Sequence, residues 1–126
     1  MKIALVIEND PESVKLLAAI LERWDFKITA VTSTAEAQDM LQRAFLPDVI
    51  LCDISIRGTD ALTFIRWLRG SGDPRLSKMP VIGMTVLYED VDARTARAAG
   101  FDVFLRKPLD PDQLPHIVTL LVAATR

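Results

Sequence analysis

The stretch Asp48–Ile54, DVILCDI, decides the fold. Val49 to Cys52 are four apolar residues in a row, with no polar residue alternating among them. A strand of that kind is buried on both faces, as happens in parallel sheets covered by helices. The run stops at a carboxylate, Asp53. In open parallel sheets the ligand crevice lies beyond the carboxyl ends of the strands, so Asp53 stands where chemistry is expected.

Working outward, the same grammar repeats. Toward the N-terminus, Lys2–Ile7 (KIALVI) is a second apolar run. Asp10 and Pro11 then give a cap and a first-turn proline for a helix carrying Val14, Leu17, Leu21 and Trp24. Phe26–Val31 (FKITAV) is a weaker strand that suits a sheet edge. Ser33 or Thr34 caps a helix with Ala37, Met40, Leu41 and Ala44 on one face, and Pro47 ends that unit. Toward the C-terminus, Gly58 marks a break before a helix through Leu62, Ile65, Trp67 and Leu68. Gly70 to Pro80 reads as a loop. Pro80–Thr85 (PVIGMT) is a strand, and an alanine-rich helix from about Glu89 to Ala99 stops at Gly100. Asp102–Leu105 (DVFL) is a brief strand broken by Lys107-Pro108. Asp110 and Pro111 start a last helix with Leu114, Ile117, Val118, Leu121 and Val122. Trp24 and Trp67 are expected to pack on the sheet from their helices.

Five strand–helix units predict an α/β fold: a doubly wound, five-stranded parallel sheet. The common strand order for five is 2-1-3-4-5, with the crevice between strands one and three. The 126 residues are read as one domain, 1–126, large enough to hold a core without disulfides. The single cysteine, Cys52, has no partner for a disulfide and no zinc-type spacing around it, so a buried inert thiol is expected. A net charge of -2 and arginines scattered over helices argue against direct nucleic-acid binding. The first apolar run stops at Glu8, too short for a membrane span and unlike a signal peptide. A cytoplasmic location without membrane attachment is therefore expected.

The strand ends carry a coherent set of groups. Glu8, Asn9 and Asp10 follow strand one, Asp53 and Ser55 follow strand three, Thr85 ends strand four and Lys107 follows strand five. Oxygen acceptors, a hydroxyl and an ammonium gathered at one sheet end suit phosphoryl transfer. A carboxylate can attack phosphorus to give an acyl phosphate. The transition state spreads charge over the equatorial oxygens and calls for a cation and fixed donors. Magnesium, held by one or two carboxylates, phosphate oxygens and water, is the natural cation.

The segments ALVIENDPES, PDVILCDISIRGTDALTFIRWLR, PVIGMT and DVFLRKPLD resemble, in order and spacing, the receiver domain of two-component response regulators. The resemblance implies a flavodoxin-like (βα)5 fold. It implies a signalling switch rather than an enzyme with a separate substrate, limited to self-phosphotransfer and slow dephosphorylation. Asp53 matches the phosphoacceptor, charged by a histidine kinase, a phosphotransfer protein or a small phosphodonor. Glu8 and Asn9 match the pair of acidic residues after strand one, and Ser55 the residue whose carbonyl helps hold Mg2+ beside Asp53. Thr85 and Lys107 match the hydroxyl and lysine that bind the phosphoryl group. Thr85 and Phe104 match the switch positions, and Lys107-Pro108 a bond usually cis. The partners implied are a downstream protein or fused output domain, and a homodimer through the fourth and fifth helices.

The departures matter. Asn9 replaces the usual aspartate and brings no charge. If it is a ligand, magnesium binding should weaken at least about tenfold, ~1.4 kcal/mol. Asp10 could compensate, although capping the first helix is its simpler role. Val86 stands where a small residue is usual, and Arg57 where proline is common. Phe104 lacks the hydroxyl of the commoner tyrosine. An alternative function is therefore a receiver-like interaction module with weak or absent phosphorylation. A flavin or dinucleotide site fits poorly, because no G-x-G-x-x-G follows strand one. His116 is expected as a partly exposed helix residue rather than a ligand.

Overall fold

The computed structural model describes residues 1–54, 58–85 and 93–125. Its five strands are β1 (Lys2–Ile7), β2 (Phe26–Val31), β3 (Val49–Asp53), β4 (Val81–Thr85) and β5 (Val103–Arg106). They form one sheet in the order β2-β1-β3-β4-β5 with every pair parallel. This is the expected doubly wound, flavodoxin-like architecture. The register sets Ala4 beside Val49, Ile50 beside Val81 and Ile82 beside Val103. Every residue of β3 and β4 is buried, which explains their unbroken apolar runs.

The helices are α1 (Pro11–Leu21), α2 (Thr34–Gln42), α3 (Gly58–Arg69), the short α4 (Pro74–Ser77), α5 (Ala93–Ala99) and α6 (Leu114–Ala124). Alternate residues of a strand point to opposite sheet faces, and each face has its own core. On one face Leu5, Ile7, Ile50 and Cys52 pack with Ala37 and Leu41 of α2 and with Phe64, Ile65 and Leu68 of α3. On the other, Ala4, Val6, Leu51, Ile82 and Met84 pack with Leu17, Ile20 and Leu21 of α1 and with Leu114, Val118 and Val122 of α6.

Local chemistry sets the helix ends. The Asp10 carboxylate accepts the Glu12 amide at 3.2 Å, and the Ser33 hydroxyl accepts the Glu36 amide at 3.1 Å. The stretch expected as a bare loop between Gly70 and Pro80 contains α4. There Asp73 accepts the Arg75 amide at 2.9 Å and Pro74 supplies a preset φ, enough for one turn. The last helix begins three residues later than Pro111. The Asp110 carboxylate takes the amides of Asp112 and Gln113, which holds residues 111–113 as a turn before α6. Trp24 also differs from expectation. α1 ends at Leu21, and a 3-10 turn, Glu22–Trp24, carries the indole away from the sheet. It is 44% exposed and stands edge-on to His116, with ring centroids 5.0 Å apart. Trp67 packs against the α3 side of the core as expected. The part of the fourth expected helix before Ala93 lies outside the described residues.

The two ends of the sheet are built differently. At the amino ends, Arg69 closes α3 and donates to the carbonyls of Ser77, Met79 and Gly100 at 3.0, 2.7 and 2.9 Å. It also pairs with Asp102 at 2.8 Å, and Asp102 in turn accepts the Val81 amide. Gly100 sits at φ +124, where a Cβ would come within 2.8 Å of the Arg69 side chain. This end is closed by its own hydrogen bonds. At the carboxyl ends, by contrast, the polar side chains Glu8, Asp53 and Thr85 are buried.

Candidate functional site

Among the described residues three polar side chains are buried: Glu8, Asp53 and Thr85. All three stand at carboxyl ends, just after β1 and at the ends of β3 and β4. Buried charges need partners. The partner here comes from beyond β5. The Lys107 amide donates to the Thr85 carbonyl at 2.8 Å, extending the β4–β5 pairing past the strand. From there the Lys107 ammonium reaches Glu8 Oε2 at 2.7 Å and Asp53 Oδ2 at 3.2 Å. The Lys107-Pro108 bond is cis. The Asp10 amide donates to Glu8 Oε1 at 3.1 Å and fixes the second carboxylate oxygen.

The electrostatics follow from two carboxylates sharing one ammonium out of water. Burial pushes Glu8 above its ordinary 4.5, and the Asp53 carboxylate pushes the same way. Lys107 and the Asp10 amide oppose this without cancelling it. For Lys107, burial disfavours the ammonium, but the Glu8 hydrogen bond and both carboxylate charges outweigh it, holding the pKa above 10.5. Cys52, beneath Asp53, is pushed up to about 12 by burial, with the charges of Asp53 and Glu8 adding. It is a buried thiol, as expected from its apolar run.

Glu8, Asp53, Thr85 and Lys107, drawn from four strand ends, thus meet at one edge of the sheet. Asn9 is exposed, one residue past Glu8 at the lip. Asp10 does not stand in for it, because its carboxylate is taken by the Glu12 amide and the Ser13 hydroxyl at 3.2 and 2.9 Å. Phe104 is half-buried against the α2–α3 side of the core. Ser55, Arg57 and Val86 lie outside the described residues. His116 is on α6, partnered by Trp24 rather than by the site. The direct Glu8–Lys107 pair escaped the sequence, which assigned the two residues to separate jobs. The signal was available: a carboxylate closing an apolar strand is buried and must be matched, and Lys107 is the lysine at the same sheet end. A cleft of about 290 Å³ lined by Ser13, Leu16, Leu17, Lys107, Pro108 and Leu109 opens beside this lysine.

Fold and site together define a class, and comparison with known proteins names it. Residues 4–119 match the response regulator receiver domain, and the chain belongs to that family. It is therefore a receiver domain of two-component signalling. Response regulator Rre1 of Synechocystis sp. (strain ATCC 27184 / PCC 6803 / Kazusa) is 34% identical over 120 residues, covering 94% of this chain and 51% of that protein. The chain thus spans about half the length of this relative. The signal receiver domain of a signal transduction histidine kinase from Syntrophus aciditrophicus has a TM-score of 0.81 at 30% identity, covering 98% of this chain and 92% of that one. The receiver domain of sensor histidine kinase PA1611 from Pseudomonas aeruginosa PAO1 has a TM-score of 0.82 at 23% identity, covering 97% of this chain and 98% of that one. That structure holds a magnesium ion coordinated in its active site cleft.

Proposed function

We propose that residues 1–126 form one phosphorylation switch that accepts a phosphoryl group on Asp53. The observation that carries this reading is the buried cluster of Glu8, Lys107 and Asp53, with the Lys107 ammonium 3.2 Å from Asp53 Oδ2. A carboxylate oxygen of Asp53 attacks phosphorus. The bond from phosphorus to the donor nitrogen or oxygen breaks, and the donor leaves with that electron pair. Lys107 neutralises one phosphoryl oxygen as a point charge, and the Thr85 hydroxyl donates to another. Water later hydrolyses the acyl phosphate, so the chain turns over no separate substrate.

The donor set suits a hard divalent cation. Glu8, Asn9 and Asp53 offer two carboxylates and an amide oxygen, and the Ser55 carbonyl completes the expected set. Mg2+ would neutralise charge developing on the phosphoryl oxygens. The cation carries less protein charge here than an aspartate at position 9 would give it. The phosphodonor is a histidine kinase or phosphotransfer protein, and the apolar cleft beside Lys107 offers it a place to rest. Modification of Asp53 draws on Thr85, and the space Thr85 vacates is taken by Phe104, whose ring acts by shape alone. The altered β4–β5 surface is then read by a downstream protein or a fused output domain.

A second reading is favoured by Asn9 alone: a receiver that binds its partner constitutively and is phosphorylated poorly. Incubation with acetyl phosphate across a magnesium series, followed by intact mass, separates the two. The switch predicts a single phosphoryl adduct that rises with magnesium and is absent in Asp53→Asn. The constitutive module predicts no adduct and unchanged partner binding in that variant.

A further inference from the structure

Two breaks in regular helix meet at one cleft. α1 stops at Leu21, and the 3-10 turn after it ends on Asp25 at φ +66. The Asp110 carboxylate holds residues 111–113 as a turn before α6. Between the two turns lies a cleft of about 530 Å³, within the range of small-molecule sites. Ile20 and Pro111 are among its apolar lining residues. Trp24 and His116 also line it, their rings edge to face. Trp24 is 44% exposed, so part of the indole is open to a ligand. Arg23 and Asp112 line the same cleft and bear opposite charges. Among the described residues neither side chain has an ion pair or a hydrogen bond. Other exposed pairs close on each other: Lys15 on Glu12, Arg43 on Asp39 and Arg75 on Asp73. Arg23 and Asp112 share a cleft without reaching one another.

We propose that this cleft binds a small zwitterion, an α-amino acid with a large apolar side chain. The ligand carboxylate pairs with the Arg23 guanidinium, whose planar fork suits it. The ligand ammonium pairs with the Asp112 carboxylate. The apolar side chain lies against Trp24 and Ile20, and His116 steadies the indole through their ring contact. The charge balance selects this class of ligand. A simple anion would be repelled by Asp112 and a simple cation by Arg23. A nucleotide would set several negative charges against a single arginine with Asp112 beside it. A zwitterion satisfies both groups at once. Two charge-assisted contacts at an exposed rim and one apolar contact give an expected Kd on the order of 0.1 mM. The cleft uses neither Asp53 nor Lys107, so the proposal stands apart from phosphorylation.

An NMR titration of the full chain with L-phenylalanine, to about 10 mM and read at the Trp24 indole N–H, tests it. That signal should shift and saturate. The Trp67 indole, packed on the other face of the sheet, should not move. Phenethylamine lacks the carboxylate, hydrocinnamate lacks the ammonium and L-alanine lacks the ring. Each should bind at least about tenfold more weakly than L-phenylalanine. Arg23→Gln should abolish the advantage of phenylalanine over phenethylamine, and Asp112→Asn its advantage over hydrocinnamate. This matching of each lost charge to one ligand group is what a merely structural role would not produce. Both side chains are exposed, so both variants should keep the wild-type melting profile. No saturable shift at Trp24 overturns the proposal. So does equal affinity for phenylalanine and its analogues, or binding unchanged by Arg23→Gln and Asp112→Asn.

Discussion

At the scale of single residues, the site is a problem of one ammonium shared by two buried carboxylates. Folding raises Glu8 above its ordinary 4.5. Its contribution to stability is therefore fully present below 4.5 and lost as pH rises through the raised value. Glu8→Gln removes the charge but keeps an oxygen for Lys107. It should melt higher than the wild type at neutral pH, and the difference should vanish below 4.5. An unchanged or lowered melting temperature at neutral pH would contradict this balance. Lys107 works at the other end of the scale: its stabilisation holds below 10.5 and fades as pH climbs through its raised value. Cys52, held up to about 12, should not react with a neutral-pH thiol reagent until the chain unfolds. Asn9→Asp should tighten magnesium at least about tenfold by titration, and no change would remove position 9 from the ligand set. The sequence showed which residues stand at the strand ends. It did not show that Lys107 closes on Glu8, because residues 99 apart meet only through the strand order.

At the scale of elements, two features hold the frame behind the site. Arg69 joins the end of α3 to α4, to the start of β4 and to the turn before β5. Arg69→Met should cost about 2–4 kcal/mol by urea unfolding, since it strips charged donors from three carbonyls and a partner from Asp102. Gly83 in β4 leaves room for Ile54 and Phe101: a Cβ there would lie 2.6 Å from the end of Ile54 and 3.2 Å from the Phe101 ring. Gly83→Ala should cost about 1–3 kcal/mol in the same assay. The strands and the long helices were legible because burial on both faces writes itself as apolar runs and 3.6-residue spacing. The short pieces were not. α4 rests on one aspartate cap and one proline, which sequence punctuation cannot tell from a loop. The start of α6 was displaced because Asp110 spends its carboxylate on a turn. Trp24 kept helical spacing on paper while a 3-10 turn carried it to the surface.

At the scale of the whole molecule, parallel order places every strand's carboxyl end on one edge, and the buried polar side chains among the described residues, Glu8, Asp53 and Thr85, gather there. The expected strand order and the identity of that edge were both legible before the structure, since doubly wound sheets allow few arrangements. The outward face of α6 was not. A helix without charge looks, in sequence, like one more core helix, and only its position at the surface shows that Leu120 faces outward. The central claim is that this edge works as a phosphoacceptor at Asp53. Intact mass of the chain after incubation with acetyl phosphate and magnesium tests it most directly. The account predicts one phosphoryl adduct on the wild type, less without magnesium, and none on Asp53→Asn. No adduct at any magnesium concentration, or one that persists in Asp53→Asn, would contradict it.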